Sequence, residues 1–481
     1  MDRRRAFSSE EMMGWVRELA GCGARRAGSP AGHAAEEWLA DRLRSFGLTD
    51  VRKEPIPVEA WTADDVKLEV NGRAFAAQWI PYCQFTPGLE APLVYVDSDA
   101  WFPSGDWAGK VVVTDIGFPA LDVGLISRFA LGRHDPDDSI SLINHPATWV
   151  RLGWHLYRKA FERGAVGFIG ILRDQPGGSH RMYAPYGFKE KDILDKPLPG
   201  CWVGRADGPA LRQLARDGAR ARLTLTGTRG PSVTHNVVGE VRGESDERVV
   251  LHCHHDSPFV SPVEDASGCA VILALAKYFA AGPKPKRTLV VLFTAGHFYG
   301  SIGTRRFLAD HAHDLVPKVA LELTVEHVAK EAIEDAKGEL VESGRPEGTG
   351  VFVPFSRAVV DLVQRNLVAN DVERSFLLPA EGPLGPYPPT DGGDWYEAGV
   401  PLVNFISNPV YLLNAEDDFH WVLESRLPKV AGAVAGIVEE SGQLTKAQLA
   451  AVDLPGFRLG MKALKHVVSL KTTRLGTRSV Y

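Results

Sequence analysis

Five cysteines are scattered through 481 residues, at Cys22, Cys83, Cys201, Cys253 and Cys269, and no two form a CxxC pair. An odd, dispersed set excludes a disulfide framework and a thiolate zinc site, and it suits free thiols in a reducing compartment. No uninterrupted apolar run is long enough to span a bilayer, which excludes a membrane-spanning class. The opening MDRRRAFSSEEMM is charged and lacks the apolar centre of a secretory leader, so the expected location is cytoplasmic. There is no basic excess either: the net charge is −6, which points away from nucleic-acid partners. What remains is an ordinary globular composition, 44% hydrophobic and 24% charged, in a chain long enough for two or three domains.

The stretch VVLHCHHDSPFVSPVEDASGCAVILALAK, residues 249–277, organises the rest. An apolar strand ends in His254 and Asp256, which share a face because side chains alternate along a strand. Glu264 and Asp265 follow a short loop and precede an Ala/Leu-rich helix. An imidazole and one or two carboxylates at the carboxyl end of a buried strand build a metal or catalytic site in an open α/β sheet. The plainer alternative is a hydrogen-bonded core histidine and an Asp265 that only caps its helix.

Residues 1–61 read as two amphipathic helices, with Met13, Val16, Leu19, Ala35, Trp38, Leu39, Leu43 and Phe46 on apolar stripes, then a strand. Residues 62–232 change to short strands rich in Gly and Pro, including a hairpin with Asn71-Gly72 at its turn, and read as an inserted domain able to cover a site. From 233 to 444, strands alternate with helices, which implies an α/β, three-layer, mostly parallel sheet with helices on both faces. The segment 445–481 is a basic arm.

In order along the chain, these motifs resemble the di-zinc aminopeptidases, whose fold also serves glutamate carboxypeptidases, glutaminyl cyclases and the transferrin receptor ectodomain. RRAGSPAGHAAEEWLADRLRSFGL is similar to the amino-terminal helix pair, residues 62–232 to a protease-associated insertion, and VVLHCHHDSP and EDASG to the two metal motifs. The resemblance implies His254 as a metal ligand, Asp256 as the carboxylate that orients it, Asp265 as the bridging carboxylate and Glu326 as the remaining ligand of the same metal. It also places His297 where the family has its general-base glutamate, Phe298 where it has a glutamate ligand, and Tyr411-Leu412-Leu413-Asn414 where it has Tyr-His-Thr. Both private ligands of the second metal are thereby apolar. The implied cofactor is one divalent ion held by His254, Asp265 and Glu326, Zn²⁺ first, with Mn²⁺ or Fe²⁺ also compatible with the donor set. His252, His255 and His327 stand close enough in sequence to substitute as ligands. Asp391 and Asp394, in the Gly/Pro-rich loop before the fifth strand, are candidates for substrate binding, although Asp there also suits turn chemistry.

The function expected from this pattern is metal-dependent hydrolysis of an amide bond in a peptide or small molecule. His297 is the proton acceptor, since its ordinary pKa of about 6.5 suits that role near neutral pH. The alternatives are a catalytically inactive binding or scaffold protein on the same fold, or an acyl-transfer or cyclising enzyme.

Overall fold

The computed structural model describes residues 3–100, 103–148, 152–184, 197–382 and 385–454, so most of the carboxyl-terminal arm lies outside the described residues. The chain begins with helices Ser9–Ala20 and Pro30–Ser45, each started by a serine that accepts a backbone N–H, Ser8 from Glu11 and Ser29 from Gly32. Such caps satisfy N–H groups that the first turn leaves unpaired. Met13, Val16, Leu19, Ala35, Leu39 and Leu43 are buried as the apolar stripes require, while Trp38 and Phe46 pack half-buried at the edge.

Two strands of 22 residues each, Thr49–Val70 and Arg220–Val241, then form an antiparallel ribbon that holds register from Thr49↔Glu240 to Val70↔Ala221 with two irregularities. The expected boundaries near 61 and 232 both fall inside this ribbon, so the backbone passes from one unit to the other without a break. Asn71 and Gly72, both at positive φ, turn the first strand back onto Arg73–Phe75 as the hairpin reading anticipates. Beyond the ribbon, strands Thr86–Val96, Val111–Ile116, Gly167–Leu172 and Gly200–Gly204 run parallel, with helix Gly208–Arg216 packed on them. One strand of this unit, Gly132–His134, pairs with Ser375–Pro379 at the far edge of the main sheet.

In the main sheet, Ser245–His254 lies between Arg287–Thr294 and Val319–Val325, all parallel, and Leu402–Ser407 continues the parallel order beside Val319–Val325. The sequences RTLVVLFT and VALELTV are buried at every residue, as strands covered on both faces should be. Val249 and Leu251 face helices Gly268–Ala281, Arg357–Ala369 and Leu427–Ser441. Val250 faces the opposite layer, where Phe307 and Trp395 pack. Strand Thr349–Val353 runs antiparallel to Leu402–Ser407 and makes the sheet mixed. No helix among the described residues is long and apolar enough to cross a membrane.

Candidate metal centre

The carboxyl ends of three adjacent parallel strands deliver the site: His254 closes its strand, Glu326 follows Val325 directly, and His297 lies three residues past Thr294. This is where an open α/β sheet places its ligands. Donor atoms of His254, Glu326 and His327 lie within 4.8 Å of one another, and all three residues are buried. Glu264 is set among them, with Oε1 at 3.1 Å from His254 Nε2 and Oε2 at 2.7 Å from His327 Nε2.

The imidazoles are oriented through their other nitrogens. His254 Nδ1 lies 3.0 Å from the Asp256 carbonyl oxygen, and His327 Nδ1 lies 2.7 Å from the Ser407 carbonyl oxygen. A ring nitrogen fixed to a carbonyl leaves the opposite Nε2 lone pair for a metal. Both Nε2 atoms and Glu264 Oε2 are buried without an aligned hydrogen bond among the described residues, despite their short contacts. Buried polar atoms rarely go unsatisfied, and here the unsatisfied ones converge on one point. Two imidazole nitrogens and two carboxylates fit a zinc-type ion.

A second grouping, His254 with His297 and Asp391, also falls within 4.8 Å. Two of its donors already face each other, since His297 Nδ1 lies 2.5 Å from Asp391 Oδ1. The first grouping is therefore the better candidate.

The charges follow the same geometry. Burial would raise the Glu264 carboxyl, but the His327 and His254 imidazoles hold it well below the usual glutamate range. Burial would lower His327, yet Glu264, Asp265 and Glu326 carry it up to about 10. Glu326 is pushed up to about 7 by burial and by the Asp391 charge. A divalent ion would reverse this balance, since it requires neutral imidazoles and ionised carboxylates.

Asp265 was expected to bridge, and the structure places it differently. Its Oδ1 accepts the N–H groups of Gly268 and His327, and its Oδ2 lies 2.9 Å from Cys253 Sγ. Glu264, one residue earlier, occupies the central position instead. The cause is Asp417, whose carboxylate takes the Val263 and Glu264 N–H groups at 3.0 Å each and so sets the path of this turn. Asp256 also differs in detail. It orients His254 mainly through its carbonyl, its nearest carboxylate oxygen being 3.6 Å from Nδ1, while that carboxylate accepts the His297 and Phe298 N–H groups and anchors their turn. His252 bonds to Glu322 and Thr294 deeper in the sheet, and His255 reaches the His235 carbonyl, so neither joins the cluster.

His297 lines the cavity beside Glu264, Glu326 and His327, and its ring stacks on His254 at 4.3 Å. Burial alone would lower its pKa, but Asp391 outweighs burial and raises it above the ordinary value. Asp391 is therefore no rim residue. It is 1% exposed and lies behind His297, away from the cavity wall. Asp394 does not line the cavity either; it is half-buried in helix Gly392–Glu397, where burial pushes its carboxyl up to about 6 despite Arg305 nearby. Phe298 and Leu412, which the resemblance sets at the ligand positions of a second metal, are 4% and 5% exposed.

The cavity has a volume of about 100 Å³ and mainly apolar walls, including Val123 and Ile126 from the inserted unit and Phe352, Leu378 and Ile406 from the main domain. Sequence reasoning left Glu264 as a neighbour of the chosen ligand and His327 as a substitute, and did not single out Asp417. The adjacent acidic pair Glu264-Asp265 was the available signal for the first.

Residues 236–421 match the model of Peptidase family M28. A curated relative, a probable glutamate carboxypeptidase of Zea mays, is 24% identical over 355 residues, covering 63% of this chain. That match spans about half the relative's length, 48%. Among solved structures, a Peptidase M28 precursor from Shewanella amazonensis has a TM-score of 0.65 at 19% identity, covering 90% of this chain and 97% of that one. A zinc aminopeptidase from Bacillus subtilis has a TM-score of 0.63 at 18% identity, with coverages of 90% and 95%. Residues 236–421 thus match Peptidase family M28, within a chain that has an aminopeptidase-like α/β fold.

Proposed function

We propose that this protein is a metal-dependent amide or peptide hydrolase working with a single ion. The observation that carries the reading is the convergence of His254, Glu264, Glu326 and His327 at one point, while Phe298 and Leu412 fill the places where a second ion's ligands would stand. Phenylalanine and leucine offer no lone pair to a metal. Zn²⁺ held by this set supplies Lewis acidity toward an amide carbonyl. His254 and His327 hold their Nε2 atoms ready through the carbonyls on their Nδ1 atoms, and Asn404 Nδ2 steadies Glu326 Oε1 at 3.0 Å. His297, kept in one tautomer by Asp391, takes a proton from attacking water and returns it to the leaving amine. The apolar walls exclude bulk water and favour a hydrophobic substituent on the substrate.

A second reading, an inactive recognition protein, draws on the closed contact between Glu264 and His327, which holds the cluster together without an ion. Metal content separates the two. The expected result is about one zinc per chain in protein purified without added metal, lost in His254→Ala, Glu326→Ala and Glu264→Gln, and amide cleavage that follows the zinc. No zinc after reconstitution favours the recognition protein.

A further inference from the structure

The cavity that holds the cluster has a second polar feature. Glu347, 2% exposed, lines its wall just past strand Leu340–Pro346, and His145, on the short strand Asn144–Pro146 of the inserted unit, faces it. Glu347 Oε1 is engaged, lying 3.3 Å from His145 Nε2 and accepting the Gly348 N–H at 2.9 Å. Oε2 is buried with no hydrogen-bond partner among the described residues. Close by, Asn408 also lines the cavity, and neither atom of its side-chain amide has a partner among the described residues.

Local cations do not account for the free oxygen. Arg374 lies 3.1 Å from Glu331, and the Arg426 guanidinium donates to the Glu373 carbonyl and the Thr349 hydroxyl. His145 is the cation in contact with Glu347, and that pair uses the other oxygen, while Arg426 feels the Glu347 charge without a hydrogen bond to it. A buried carboxylate oxygen without a donor is costly, so a site that keeps one open gains from a ligand that supplies the donor. Phe352, Leu378 and Ile406 line the same cavity, so such a ligand has an apolar body as well.

We propose that Glu347 is a specificity residue that accepts a cationic N–H donor, of guanidinium or ammonium type, carried by the substrate on an apolar stem, with Asn408 supplying neutral hydrogen bonds beside it. The proposal rests on the reading of this cavity as the substrate site. It adds that the substrate is basic, and that the inserted unit tunes the preference through His145, which competes with the ligand for the same carboxylate.

The test is calorimetric titration of the full-length protein, with and without zinc, using hexylguanidinium and its uncharged isostere hexylurea. Wild type is expected to bind hexylguanidinium at least tenfold more tightly than hexylurea. Glu347→Gln should reduce that ratio to about one, and His145→Asn should widen it, because the carboxylate then loses its internal cation. The opposite sign of the two effects keeps the proposal testable if one variant folds poorly. Equal affinities in wild type, or a ratio unmoved by both substitutions, overturn it. Zinc content is measured in parallel: a protein that takes no zinc yet keeps the guanidinium preference defeats the hydrolase reading while this subsite stands.

Discussion

His297 Nδ1 and Asp391 Oδ1, 94 residues apart in sequence, lie 2.5 Å from each other, His297 on the cavity wall and Asp391 buried beside it. The same imidazole stacks on His254 at 4.3 Å, so its orientation is set by two partners at once. In the proposed mechanism Asp391 acts through His297, by fixing the tautomer that can accept a proton.

Asp391→Asn is accordingly expected to lower kcat on an amide substrate by about a hundredfold or more, within the usual range for a positioned proton acceptor. Zinc content should not change, and His297→Ala combined with Asp391→Asn should be no slower than His297→Ala alone. Loss of zinc from Asp391→Asn would instead make it a ligand.

Phe298 and Leu412 are the reason the proposed site holds one ion where the related di-zinc enzymes hold two. The paired substitution Phe298→Glu with Leu412→His restores both donor types, and it should raise zinc content from about one to about two equivalents per chain. Phe298→Glu alone should leave it at one and lower the thermal midpoint, because the new carboxylate is buried without a partner. Elemental analysis with a melting curve reads both outcomes.

Asp394 gives a pH prediction away from the metal ligands. Its carboxyl rises to about 6 in the folded protein, against 3.8 ordinarily, with burial as the main cause, Asp391 and Glu397 adding to it and Arg305 opposing it. The folded state thus holds this proton more tightly than the unfolded chain. Stability is penalised as pH rises through that interval, and the penalty is complete above about pH 6. Asp394→Asn should therefore stabilise at pH 7.5, by at most about 3 kcal/mol, and have little effect near pH 4. Denaturant unfolding at the two pH values checks the sign.

Much of the architecture was legible because it follows from local rules. Continuous apolar runs such as RTLVVLFT can only be strands covered on both faces, and their alternation with helices such as RAVVDLVQRNLVA requires a largely parallel sheet. The same rules placed His254 at a strand end, whereas Glu326 was singled out only by the resemblance and follows strand Val319–Val325 directly. The domain boundaries were less legible, because the ribbon Thr49–Val70 with Arg220–Val241 changes partners along its length without changing its own conformation.

The sequence by itself determined the fold class and the strand ends on which the site is built. Tertiary structure alone decided which of two adjacent acids, Glu264 or Asp265, stands between the imidazoles, and that Asp391 is buried against His297. The reason is physical. Strand and helix periodicity is set by backbone geometry within a few residues, whereas the direction of a side chain in a turn is set by distant partners, here Asp417 on the Val263 and Glu264 N–H groups 154 and 153 residues away.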